Sequence, residues 1–274
     1  MVFRVLTIAR ITYLEAFRQR FFHLLFILSL ALVISSLFFQ QFNFGSTELK
    51  FIVDLGFGSV VFFGTVVAIV LSAQLLFAEF ENRTVLTILA RPMPRHHFLL
   101  GKYLGMLGLL LSFVVSLSAV TGVLLVNRHM ALLEAMPSYF ERGVRVRYGD
   151  IPILGAVHFL KLGIVASMTF LVATFSRTNL YTVVVSFLVV LIAQLQYLGA
   201  ESYGEGSPFL LRVASWAISV IFPNFQVFNV GDLLVYSEAG TFPVLNLLVL
   251  FGYGAVYLVL YLLLAAGFFR FREI

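Results

Sequence analysis

An all-α membrane protein with six transmembrane helices is the fold the sequence predicts, and three observations predict it. Hydrophobic residues make up 61% of the 274 and charged residues 11%, with a mean hydropathy of +1.03. An ordinary soluble domain carries about a quarter charged residues. Six apolar runs are each long enough to cross the ~30 Å hydrocarbon core at ~1.5 Å per residue. The charged residues gather between those runs, where the orientation rule for membrane proteins accounts for most of them.

In chain order, each element has its own signal. Residues 1–20 interleave Arg4, Arg10, Arg18 and Arg20 with Val5, Leu6, Ile8, Ile11, Leu14 and Phe17, the pattern of an amphipathic helix in the headgroup layer. Residues 21–39 form the first span; the run is too long for a signal peptide and no small-x-small site comes after it, so it is expected to be retained. After an outside loop at 40–50, the second span at 51–78 exceeds what the core requires, so it tilts or continues beyond it. Gly56, Gly64, Ala68 and Ser72 share one ridge of that span, where another helix can approach closely. Helix packing and a substrate path or dimer face both fit that ridge. The third span, 103–126, carries Gly105 and Gly108, and residues 127–150 read as a polar outer segment with a short helix. Spans four and five, 153–175 and 180–198, are joined by a tight turn at 176–179. Residues 209–222 are too few to cross and predict an outer interfacial or re-entrant helix, and 244–269 is the last span. The chain reads as one membrane domain, 1–274.

Residues 79–102 are a charged insert between two apolar runs. Glu79, Glu81 and Arg83 open it, Arg91, Arg95 and Lys102 close it, and Val85, Leu86, Ile88 and Leu89 recur between them at helical spacing. That predicts a short amphipathic helix, ended by Pro92 and Pro94. Here the sequence resembles the membrane-spanning permease subunits of type-2 ATP-binding-cassette (ABC) exporters. The matching residues are Glu79, Glu81, Arg83, Thr84, Leu89, Pro92, Arg95, Gly101 and Lys102. Glu15, Arg18 and Arg20 match the family's basic N-terminal helix, and Phe222, Pro223 and Asn224 match a motif before the last span.

The resemblance implies that residues 79–98 are a cytoplasmic coupling segment that docks on a separate ABC ATPase. Its expected contact residues are Glu79, Glu81, Arg83, Thr84, Leu86, Leu89, Arg91, Pro92 and Arg95. It further implies a dimer of permease subunits, homomeric or heteromeric, in the bacterial cytoplasmic (inner) membrane. ATP and Mg would then belong to the partner chain, with no cofactor on this one. Both termini are expected in the cytoplasm, because eleven of the 18 Lys and Arg residues fall on that side.

Several chemistries have no sequence support. There is no phosphate-binding Gly-x-x-x-x-Gly-Lys-Ser/Thr loop, so ATP hydrolysis is expected elsewhere and the chain is not read as an enzyme. The five histidines form no metal-spaced pair, and the absence of cysteine removes disulfides and thiolate chemistry. A nucleic-acid partner is not expected, since the arginines lie between apolar runs. His158 and Lys161, one turn apart in span four, are the ionisable candidates at membrane depth. Lys161 either snorkels to the interface or meets an anionic substrate. With Gly64, Ala68 and Ser72 they form the candidate substrate-path or packing set. An ATPase-independent transporter or channel is the rival reading; it would show intramembrane charges or broken helices.

Overall fold

Away from water a chain must pair its own backbone amides, and helices do so within one segment. A computed structural model describes residues 2–41, 46–81, 95–135, 147–202, 208–231 and 244–271. Among these residues there are eight α-helices and no strand. They are α1 (Val2–Phe17), α2 (Arg20–Ser35), α3 (Ser46–Glu81), α4 (Arg95–Ala135), α5 (Ile151–Phe175), α6 (Asn179–Ser202), α7 (Phe209–Ile221) and α8 (Val244–Phe271). Six of them, α2 to α6 and α8, are long and apolar enough to cross a membrane. The protein is an all-α, multi-pass membrane protein.

Helix α5 is the centre of the bundle. Every residue from Lys161 to Phe170 is buried, and α3, α4, α6 and α8 all pack on it. The contacts are close because small residues admit large neighbours. A side chain on Gly64 would meet Leu162, one on Gly155 would meet Ser118, and one on Gly254 would meet Leu160. Tyr103 of α4 donates its hydroxyl to the Gly163 carbonyl at 2.9 Å and sets its ring edge-on to Phe170. These pairs fix α4 and α8 alongside α5. The end of the bundle holding Glu81, Arg95, Phe175 and Arg270 is its proximal end, and the opposite end is distal.

Several expected boundaries move, and residues 46–50, expected in the outside loop, are the first turn of α3. Helix α4 does not stop at residue 126 but runs on through Asn127 to Ala135, since the first proline after the span is Pro137. The remainder of the expected outer segment, 136–146, lies outside the described residues. Helix α3 continues past Ala78 to Glu81, and at 36 residues it is ~54 Å long, well beyond a ~30 Å core.

Helix α1 keeps its amphipathic pattern and is anchored by protein. Its buried face, Thr12 and Ala16 with Ile8 and Tyr13, packs along α4 at Gly101, Gly105 and Gly108. Its other side leaves Phe3, Leu6 and Ile11 exposed beside Arg4 and Arg10. The glycines of span three are thus the seat of the N-terminal helix.

Helix α7 takes the re-entrant option. Tyr257 lies thirteen residues after Val244 and fourteen before Phe271, so it is ~20 Å from either end of α8. Its hydroxyl donates to the Val220 carbonyl at 3.0 Å, and Tyr261 donates to the Ile221 carbonyl at 2.6 Å. The C-terminal end of α7 therefore reaches the level of the middle of the last span. The chain then turns at Pro223, where the Asn224 amide donates to the Tyr253 hydroxyl at 2.7 Å. Tyr253, Tyr257 and Tyr261 recur every four residues and make one ladder on one face of α8.

Candidate functional site

Two places bring together the residues singled out by sequence. The first is the proximal joint. Helix α3 ends at Glu81 and α4 begins at Arg95, so both flanks of the charged insert lie at the proximal end. Glu79 and Glu81 are in the last turn of α3 and Arg95 opens α4. Arg83, Thr84, Leu86, Leu89, Arg91 and Pro92 lie outside the described residues, and so does the short helix expected there.

The head of α4, on the C-terminal side of the insert, is firmly held. Lys102 is 2% exposed, and its ammonium lies 3.3 Å from Glu15 and 5.9 Å above the Phe98 ring. Gly101, beside it, faces Ile8 and the Val5 carbonyl so closely that an added Cβ would lie 2.7 Å from Ile8. A buried lysine is stable only where its charge is compensated, and here the compensating carboxylate comes from α1. Lys102 and Glu15, 87 positions apart, thereby tie the N-terminal helix to the head of α4.

The second place is a cavity of about 590 Å³ among α3, α5, α6 and residues 226–231. His158 and Lys161 reach it from α5, Gln194 from α6, and Lys50 and Asp54 from the distal end of α3. Lys161 is ten residues into α5, ~15 Å from its distal end, which is half the thickness of a ~30 Å core. Its side chain does not snorkel to an interface. It is buried, with Nζ 3.4 Å from Gln194 Oε1 and 5.2 Å from the centre of the Phe225 ring. The His158 ring is 5.3 Å from that of Phe57, and its Nδ1 is buried without a hydrogen-bond partner. Phe225 is held by the short 3-10 turn Phe225–Phe228 that comes after α7, begun by the Asn224 side chain accepting from the Gln226 amide.

The small-residue ridge goes elsewhere. Gly64, Ala68 and Ser72 are all buried, with Gly64 seated on Leu162 of α5. None of the three lines the cavity. His158 and Lys161 are thus brought together with Gln194 and Phe225, two residues sequence reasoning missed. Gln194 is a polar residue inside an apolar run and was visible as such; Phe225 was one phenylalanine among 31. Among the described residues no cluster of three His, Asp or Glu side chains is arranged for a metal.

A membrane bundle with a charged joint at one end and a largely apolar cavity holding a buried lysine and histidine suits a transport protein. A family model described as ABC-2 family transporter protein matches residues 17–194, which is more than half of the chain. The chain belongs to this family. An ABC-2 protein of this kind is a permease, a transport subunit and not itself an ATPase. The match takes in α2 to α5, most of α6 and the whole charged insert; α7 and α8 lie beyond it. No curated protein matches the chain.

Proposed function

We propose that this ABC-2 permease is one half of the membrane-spanning part of an exporter driven by a separate ATPase. Two copies, or this chain and a related one, enclose the path. ATP and Mg are held by the partner, which docks on residues 79–98. The observation that carries the reading is the family match, since residues 17–194 include that entire segment between the proximal ends of α3 and α4.

The joint gives the segment mechanical purchase. Force applied there enters α4 at Gly101 and Lys102, where α1 is locked by close packing and by the Glu15 carboxylate. Helices α1 and α4 then move as one body. Tyr103, the next residue, carries that motion to the centre of α5 through its bond to Gly163.

The test is to dock the ATPase on a permease whose apolar contacts have been reversed. Leu86 and Leu89 are three positions apart and share a face if the segment is helical. Burying one leucine contributes roughly 1.5 to 3 kcal/mol, so Leu86→Asp with Leu89→Asp should weaken docking by orders of magnitude. Arg83→Gln should do far less, because an exposed ion pair is worth about 0 to 1 kcal/mol. Both proteins should still insert in the membrane. Equal recovery of the ATPase by wild-type and double-variant permease, with equal stimulation of hydrolysis, would falsify the coupling role. That result would favour the ATPase-independent transporter, a reading to which the membrane-depth ammonium of Lys161 and the half-helix α7 also lend themselves.

A further inference from the structure

The cavity carries a charge that coupling to an ATPase does not use. Lys161 is 7% exposed at the middle depth of α5. Removing an ammonium from water is costly, and it persists inside a protein only where something offsets that cost. Among the described residues its partners are the Gln194 carbonyl and the face of the Phe225 ring. One offers a dipole and the other a quadrupole; neither supplies a negative charge.

His158 adds an independent observation. It lies one turn before Lys161, is likewise 7% exposed, and lines the same cavity. Its Nδ1 atom is buried with no partner. An imidazole nitrogen can donate a hydrogen bond, and leaving such a group unsatisfied costs about 1 to 3 kcal/mol. An anion beside Lys161 would supply the missing negative charge, in the cavity that the His158 ring also lines. Lys50 and Asp54, one turn apart at the distal mouth, offset each other in charge, so Lys161 sets the sign of the field inside.

The walls say what else the ligand carries. Val53, Phe57, Val61, Val66 and Phe187 line the cavity, making most of its surface apolar. At its rim Phe62 and Leu191 are 65% and 53% exposed, so the apolar wall continues onto the lateral surface of α3 and α6. A volume of about 590 Å³ is within the ~300 to 1,000 Å³ range of sites that enclose small molecules.

We propose that the cavity binds the anionic end of an amphiphile, a phosphate or carboxylate held by Lys161 Nζ beside the His158 imidazole, with its hydrocarbon laid along α3 and α6. This deepens the transport reading and rests on it: the bound amphiphile is the substrate class. A free phosphate presents the same chemistry to Lys161 but makes no use of the walls.

The experiment is equilibrium binding of radiolabelled dodecyl phosphate to the full-length protein in nanodiscs of zwitterionic lipid, corrected for empty nanodiscs. Binding should saturate and be displaced by unlabelled dodecyl phosphate but not by dodecyltrimethylammonium. Lys161→Met should weaken it roughly tenfold to a hundredfold, the size of one lost charge-assisted hydrogen bond. Lys161→Arg, which keeps the charge, should stay within severalfold of wild type. His158→Phe should weaken binding severalfold, and it carries the comparison should Lys161→Met not assemble. Displacement by inorganic phosphate at equal concentration identifies a free anion as the source of the chemistry; no displacement identifies the amphiphile. Unchanged affinity in the Lys161 and His158 variants, or displacement by the cationic amphiphile as strong as by the anionic one, overturns the site. No ATPase is present in the assay, so a permease that fails to couple still binds, and the two readings fail separately.

Discussion

Single glycines decide how closely the N-terminal helix approaches the bundle. A Cβ on Gly105 would lie 2.6 Å from the Ala9 carbonyl oxygen and 2.6 Å from Thr12 Cβ. The first of these is backbone, which no rotamer change can move aside. Gly105→Ala should therefore push α1 from α4 at a cost of about 1 to 3 kcal/mol, the usual range for overpacking. Gly58, two turns from the start of the second span, has nothing within 4 Å of such an atom. Gly58→Ala should be neutral or should stabilise α3 by up to about 1 kcal/mol through helix propensity. Thermal unfolding in mild detergent should show the Gly105 variant well below wild type and the Gly58 variant at or above it; matching midpoints for the two would refute the packing account. The small-residue character of these positions was legible in the sequence, whereas their partners were not. Nothing near Gly105 says that Ala9 and Thr12 will meet it, because that contact joins segments almost a hundred residues apart. Lys161 shows the same limit. Its depth comes from counting along span four, but whether the side chain leaves for the interface or turns inward is decided by Gln194 and Phe225, which arrive from other elements.

Helix α7 shows what an element's length can and cannot say. Thirteen residues give ~20 Å, too little to cross a ~30 Å core, so a non-spanning helix was legible. Its tilt into the membrane was not, since that depends on three tyrosines of α8 whose four-residue spacing also suits plain packing. The hydroxyls of Tyr257 and Tyr261 take up carbonyls left open at the end of α7, where a helix otherwise has unsatisfied acceptors. Trp216, the only tryptophan, lies five residues before Ile221 and is 66% exposed, so it reports on α7 alone. In bilayers its fluorescence should be quenched by lipids brominated along the acyl chain more than by aqueous acrylamide. Tyr257→Phe with Tyr261→Phe removes two hydrogen bonds worth about 0.5 to 1.5 kcal/mol each, and should shift that preference toward acrylamide. Strong acrylamide quenching in the wild-type protein, with no effect of brominated chains, would place α7 on the surface instead. The turn after α7 holds Phe225 over Lys161, so loosening the tyrosine ladder should also weaken dodecyl phosphate binding.

At the scale of the whole molecule, six hydrophobic spans were legible because each is a property of local composition, and the helices fall where hydropathy puts them. Which way up the bundle stands is a different matter: helix packing is the same in either orientation, and the distribution of charge breaks the tie. The sequence assigns eleven of the 18 Lys and Arg residues to the side of residues 79–98, and of these Arg95, Lys102, Arg177 and Arg270 are at the proximal end. Arg128 and Arg147, at the distal end, dilute the bias. The proximal end is therefore expected to face the cytoplasm, which is where an ATPase must find residues 79–98. Because the chain contains no cysteine, single cysteines can be introduced without background. In intact cells an impermeant thiol reagent should label cysteines placed at Gly45, Arg145 and Glu205. It should leave those at Asn82, Arg177 and Arg272 unlabelled until the membrane is opened. The opposite pattern would turn the protein over. It would set the charged joint, with Lys102 locked to Glu15, on the side without ATP, and the cavity around Lys161 would then open toward the cytoplasmic half of the bilayer. Coupling through residues 79–98 would no longer be physically available, whereas binding of an anionic amphiphile at Lys161 and His158 would be unaffected.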